Sequence, residues 1–188
     1  MITSKLQRFE GENIFVGIDT HKKSWKVSIY HDEMELKTFT QPADSNKLMS
    51  YLKHHYPGAA YKCVYEAGFA GFSIQRQLAS MGADCIIAHP ADVPTTDKEK
   101  KHKDDRRDSR KLGRGLKNGD LKPIYIPDSE LEQDRIILRT RNKMVRNISR
   151  VKNRIKSLFM FIGQPIPVEF EGKKWSNSFI AWLSNIEL

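Results

Sequence analysis

Four carboxylates in this chain stand where acidic groups can hold a cation. Asp19 follows the apolar run IFVGI and Glu66 follows YKCVY, so each ends a segment that reads as a buried strand. Asp105 and Asp108 lie in KHKDDRRDSRKL, where three aspartates sit among seven Lys, Arg and His residues. Three residues apart on a helix, Asp105 and Asp108 share one face. Ligands of open α/β sheets gather beyond the carboxyl ends of the strands. If the first and fourth strands are parallel neighbours, Asp19 and Glu66 stand side by side, and a docked helix brings the other two acids to the same point. Clustered carboxylates repel one another until a cation joins them, and Mg²⁺ or Mn²⁺ prefers such hard oxygen ligands. Two such ions can clamp the attacking and leaving oxygens of a phosphodiester. The candidate phosphate contacts are Lys22, Lys23, Arg106, Arg107 and Arg110.

Each acid alone has a plainer reading. An Asp at a strand end commonly caps a turn, and Glu66 before Ala67-Gly68 is an ordinary surface acid. Asp105 and Asp108 can pair with Arg106, Arg107 or Arg110 on an exposed helix, at little gain. It is the order and spacing of all four together that favours a site. His21, two residues beyond Asp19, reads as an exposed turn histidine, with an outer-sphere role at a metal as the alternative.

The elements that must position these groups are legible in the pattern. After IFVGID, SWKVSIYHD alternates Trp25, Val27 and Ile29 against polar neighbours, and MELKTFTQ continues after a tight turn. Three such strands predict an antiparallel meander. A helix is expected over Asp44–Tyr56, stopped by Pro57-Gly58, then the strand YKCVYEAG. A second helix is expected over Ala70–Met81, ended by Gly82, then the strand ADCIIAHP. The polar loop ADVPTTDKEKK follows, then a helix from about Asp104 to Lys117 and the extended stretch LKPIYIP. A long helix from Ser129 to Gly163 is expected, with Ser129 and Glu132 as a capping box. Within it Met144, Ile148, Val151, Ile155, Leu158 and Ile162 alternate spacings of four and three, an a/d seam suited to a helical partner. A helix laid on its own domain would show the same stripe.

The bulk numbers narrow the class. A chain of 188 residues supports one good core and an appendage. It has no apolar run long enough to span a membrane, and MITSKLQRFEGEN has no signal-peptide core. Cys63 and Cys85 lack metal-site spacing and read as buried, reduced thiols of a cytoplasmic protein. The formal charge of +9 is concentrated. Residues 1–97 carry 10 Lys and Arg against 11 Asp and Glu, residues 98–160 carry 20 against 9, and residues 161–188 carry 2 against 3. A localised excess of cations is the footprint expected of a nucleic-acid surface, although a solvated helical face accounts for a charge run equally well.

VGIDTHKKSW, YEAG and KDDRRDSRKL, in that order, resemble the DEDD transposases of bacterial insertion sequences, the IS110 family with its related Piv-type DNA invertases. The later RTRNKMVRNISRVKNRIKSL is similar to a helical segment of the same family, so the resemblance runs from about Asn13 to Gly163. It implies an α/β, ribonuclease-H-like (RuvC-like) mixed sheet with flanking helices over residues 13–125, followed by a long helical arm over 128–163. It assigns Asp19, Glu66, Asp105 and Asp108 as a catalytic, metal-binding tetrad working with Mg²⁺ or Mn²⁺. It implies DNA as substrate, a structured guide RNA as partner, and a separate C-terminal domain that supplies a serine for strand exchange. Asp104 replaces the family's Thr and Ser109 its Ala, and the role of Asp104 is open. The basic helix Arg135–Lys156 is the natural place for nucleic-acid contact and for pairing into a homo-oligomer.

Residues 164–188 read as the start of a truncated C-terminal region. Trp175, Phe179, Trp182, Leu183 and Ile186 share one helical face that needs a cover, which the missing domain or the first domain would supply. Two rival readings compete. An actin-like ATPase would place glycine after its first Asp, whereas Thr20-His21-Lys22-Lys23 follow here. A non-catalytic nucleic-acid-binding or dimerising remnant of a transposase would keep the tetrad without using it.

Overall fold

The computed structural model describes residues 9–93, 105–170 and 175–186, without the side chains of 105–107. The chain divides into two compact units, Met1–Ile126 and Pro127–Leu188.

The first unit is built on one sheet. The strands are β1 (Asn13–Thr20), β2 (Ser24–His31), β3 (Met34–Pro42), β4 (Ala60–Glu66) and β5 (Asp84–Ala88), in spatial order β3-β2-β1-β4-β5. β1, β2 and β3 form the expected antiparallel meander, while β4 and β5 run parallel to β1. The meander turns at Asp32, whose φ of 46° is the left-handed conformation that Asp tolerates. The sheet is mixed and flanked by helices, as expected of the sequence.

Alternation along each strand gives the sheet two chemically different faces. Ile14, Val16 and Ile18 of β1, Val27 and Ile29 of β2, Cys63 and Tyr65 of β4 and Ile87 of β5 are buried in one core. α1 (Ser45–His55) and α2 (Ser73–Ser80) close it with Leu48, Leu52 and Leu78. α1 is capped by Asp44, whose carboxylate accepts from the amides of Asn46 and Lys47. α2 starts at Ser73 rather than Ala70, because residues 68–72 are taken up by turns with Gly71 at a φ of 57°. Cys63 and Cys85 are register partners across β4 and β5, both free and buried.

The opposite face is covered by α3 (Asp105–Asn118) and the stretch after it, where Leu112 of the helix and Leu121 beyond its end pack with Val64 and Ala88. Ile124 N–H donates to Ile87 O, and Pro123 bridges Ala88, so the extended stretch after α3 is tied to the β5 edge.

The second unit is dominated by α4 (Ser129–Phe161), 33 residues and about 50 Å long. Its cap is Asp128, not the expected Ser129. The Asp128 backbone is extended, and its carboxylate accepts from Leu131 N–H at 2.8 Å, which also places a negative charge at the helix N-terminus. α5 (Asn177–Ser184) is capped by Ser176. Phe179 stacks on Trp182 and packs against Phe170, and Trp182 also meets Phe159. The apolar face of the last helix is thus partly covered within its own unit, by the end of α4 and by Phe170. No helix among the described residues is long and apolar enough to cross a membrane.

Candidate active site

The site begins with the pleat. Gly17 and Asp19 are two apart on β1, as are Val64 and Glu66 on β4, so all four present to the α3 side of the sheet. Ile18 pairs with Tyr65 in the parallel register, which makes Asp19 and Glu66 the next residue on each of two adjacent strands. α3 supplies Asp108. The three carboxylates, from three separate segments, line one cleft of about 390 Å³, together with Thr20, His21, Phe69 and Lys111.

What seats α3 here is a set of close fits. A Cβ on Gly17 would overlap the backbone of Ser109 and Gly113, and a Cβ on Gly113 would stand 2.7 Å from the Tyr30 ring. Only glycines let helix and strand approach this closely. Next to them, Ser109 and Ser28 are fully buried and share a 2.9 Å hydrogen bond between hydroxyls, and Ser28 reaches Thr38 at 2.8 Å. Farther along, Arg110 donates from Nε and Nη2 to Glu35 Oε1 at 2.9 and 2.8 Å, and Lys117 reaches Glu33 at 2.6 Å. The tip of the β2–β3 hairpin therefore holds α3 by its cations. Burial raises the Glu35 carboxyl, but hydrogen bonds from Arg110, Thr38 and Tyr30 outweigh it and hold the group below its ordinary value. Burial, with Glu35 beside it, pushes the Tyr30 hydroxyl up to about 12.

Within the cleft, His21 Nε2 donates to Asp19 Oδ2 at 3.1 Å. The histidine expected as an exposed turn residue is half-buried and fixes one carboxylate. Lys111 is one turn beyond Asp108 on the face turned to the cleft. Lys111 is not among the expected phosphate contacts, although its spacing of three from Asp108 places it on the same helical face.

The expected site residues divide as follows. Asp19, Glu66 and Asp108 line the same cleft. Asp105 opens α3, one turn before Asp108, and its side chain lies outside the described residues, as do those of Arg106 and Arg107. Asp104 and residues 98–103 also lie outside them. Lys22 and Lys23 are exposed in the turn after β1, beside the cleft wall formed by Thr20 and His21. Arg110 is engaged by Glu35. Among the described residues no three His, Cys, Asp or Glu groups form a ready-made metal cage. The carboxylates line an open cleft, and their all-oxygen character fits a hard divalent cation rather than a thiolate-seeking one.

A family model described as a transposase, of the DEDD type named for IS110, matches residues 16–163. The chain is 27% identical to the transposase for insertion sequence element IS1533 of Leptospira borgpetersenii, over 92% of this chain and 50% of that protein. It is 26% identical to y4qE of Sinorhizobium fredii, a protein named as a transposase, over 90% of this chain and 43% of that one. It thus spans about half the length of the curated relatives it matches. Among solved structures, RuvC of T. thermophilus in complex with a Holliday junction substrate aligns with a TM-score of 0.39 and 10% identity, over 59% of this chain and 99% of that one.

Proposed function

The chain belongs to the DEDD transposases of the IS110 type, and on that premise we propose that its first unit is the metal-dependent DNA-cleaving part of an insertion-sequence transposase. The observation that carries this is the convergence of Asp19, Glu66 and Asp108 on one cleft from β1, β4 and α3. With Asp105 they would hold Mg²⁺ or Mn²⁺, which supplies a polarised phosphate and an activated attacking oxygen at neutral pH. His21 keeps the Asp19 carboxylate oriented. Lys111 offers a cation inside the cleft for a phosphate oxygen, and Lys22 and Lys23 extend that grip along the strand. Arg106 and Arg107 are further candidates, and Arg110 serves first to seat α3 on Glu35. Acting in the cytoplasm, the protein would bring DNA and a structured guide RNA together and exchange strands. Its helical arm would pair protomers through the exposed Met144, Ile148 and Val151.

The test is a Mn²⁺ titration of melting temperature with the natural chain and Asp108→Asn. An ion bound only by the folded state at 100 times its dissociation constant adds about 2.7 kcal/mol. Stabilisation of the natural chain that the substitution blunts supports the reading. If neither protein responds, the metal reading fails, and a non-catalytic nucleic-acid-binding or dimerising role takes its place.

A further inference from the structure

From Arg135 to Phe161, α4 contains Arg135, Arg139, Arg141, Lys143, Arg146, Arg150, Lys152, Arg154 and Lys156, and no Asp or Glu. A solvated charged helix is ordinarily laced by opposite charges at i and i+4. Here Arg139/Lys143, Arg146/Arg150 and Lys152/Lys156 put like charges at that spacing, each a small cost to the isolated helix. An external polyanion would turn that cost into a gain.

The cations are sorted by face. Arg139, Lys143, Arg146 and Arg150, at spacings of four, three and four, line an open groove of about 400 Å³ with Asn142 and Asn147. Ile136, Ile137, Met144, Val145 and Ile148 line an apolar groove of about 410 Å³. At 3.6 residues per turn the two stripes lie on nearly opposite sides of the helix. The apolar stripe can accept a second helix without covering the basic one. The basic stripe spans about 16 Å, the distance of roughly five phosphates along one DNA strand.

We propose that the Arg139–Lys143–Arg146–Arg150 face of α4 docks on duplex DNA, on the side of the helix away from its apolar seam. A B-form major groove, about 12 Å wide, admits an α-helix, and Arg and Asn are the side chains that pair with its base edges. The deep, narrow major groove of duplex RNA does not admit one. This inference takes DNA as partner from the function proposed above but does not depend on the metal chemistry of the cleft.

The experiment measures binding of the full chain to a labelled DNA duplex, and to an RNA duplex of the same sequence, over a range of salt concentrations. Arg139, Lys143, Arg146 and Arg150 are replaced by Ala singly and together. Alanine favours helix, and circular dichroism checks that α4 persists. Loss of all four is expected to flatten the slope of log K against log salt for DNA by about 3 to 4, near 0.9 per phosphate contact. Arg141→Ala, in the apolar groove, leaves the slope as it was. An unchanged slope in the quadruple variant overturns the proposal, and so does a loss confined to the RNA duplex. Mn²⁺ stabilisation of the same variants is read in parallel. Its absence would sink the cleavage reading and leave this one standing, whereas an unchanged DNA slope sinks this one whatever Mn²⁺ does.

Discussion

Gly17 of β1 lies directly beneath Gly113 of α3, backbone against backbone, with the Ser109 carbonyl at the same crossing. Asp19 is two residues beyond the crossing on the strand and Asp108 is five residues before it on the helix. The separation of two candidate metal ligands is thus set by a contact that involves no carboxylate.

Gly17→Ala should therefore be costly well beyond its single methyl. The added carbon meets backbone, which cannot rotate away, so destabilisation at or above the upper end of about 1–3 kcal/mol is expected. Urea unfolding measures that cost. In whatever fraction remains folded, Mn²⁺ stabilisation should be weaker than in the natural chain, because α3 has been lifted from the sheet. An alanine variant with unaltered stability and unaltered metal response would show that the crossing does not position the site.

Glu35 predicts an acid-sensitive clamp. Its carboxyl is held below the ordinary glutamate value of 4.5 in the folded chain. Such a group stabilises the fold at pH values above 4.5, and the contribution is lost as pH falls through the lowered folded value. Glu35→Gln should flatten that part of the stability–pH profile and change little at pH 7 beyond the loss of the ion pair, which is part-exposed and worth little. Denaturant midpoints collected between pH 3 and 7 for both proteins provide the check.

Adjacent cations on α3 should behave oppositely. Arg110→Ala removes two hydrogen bonds to Glu35 and should lower the melting temperature only slightly, as for any part-exposed pair. Lys111→Ala should weaken DNA binding and reduce its salt slope by about 1, a change that Arg110→Ala should not produce. Equal effects of the two substitutions on both measurements would contradict the division of labour.

The two thiols should be silent. Burial pushes Cys63 well above the ordinary thiol range, and burial with Asp84 nearby pushes Cys85 up to about 12. The thiolate is the reactive form. An aromatic disulfide reagent at pH 8 should therefore label neither cysteine until the chain unfolds. Rapid labelling of the native protein would mean that the β4–β5 region opens locally.

Alternation and acid placement fixed a good deal in advance. The inward Trp25, Val27 and Ile29 identified β2 as a strand but predicted it half-buried, whereas Ser28 and Tyr30 on its other face are buried as well; apolar runs ending in Asp19 and Glu66 identified strand ends that could carry ligands. These are local signals, since pleat and helical periodicity depend on neighbours in the chain. By itself the sequence thus determined the meander, the two acids on strand ends, and the basic, seamed helix. It could not determine that Gly17 is a crossing point, since a glycine in a strand looks the same whether or not a helix lies above it. Nor could it show that Arg110 is held by Glu35, 75 residues away in sequence. The cap at Asp128, the late start of α2 and the cover over Phe179 were likewise settled by which groups meet in space. Tertiary structure decided these because each is a long-range or backbone-geometric relationship, carried by packing distance rather than by residue type.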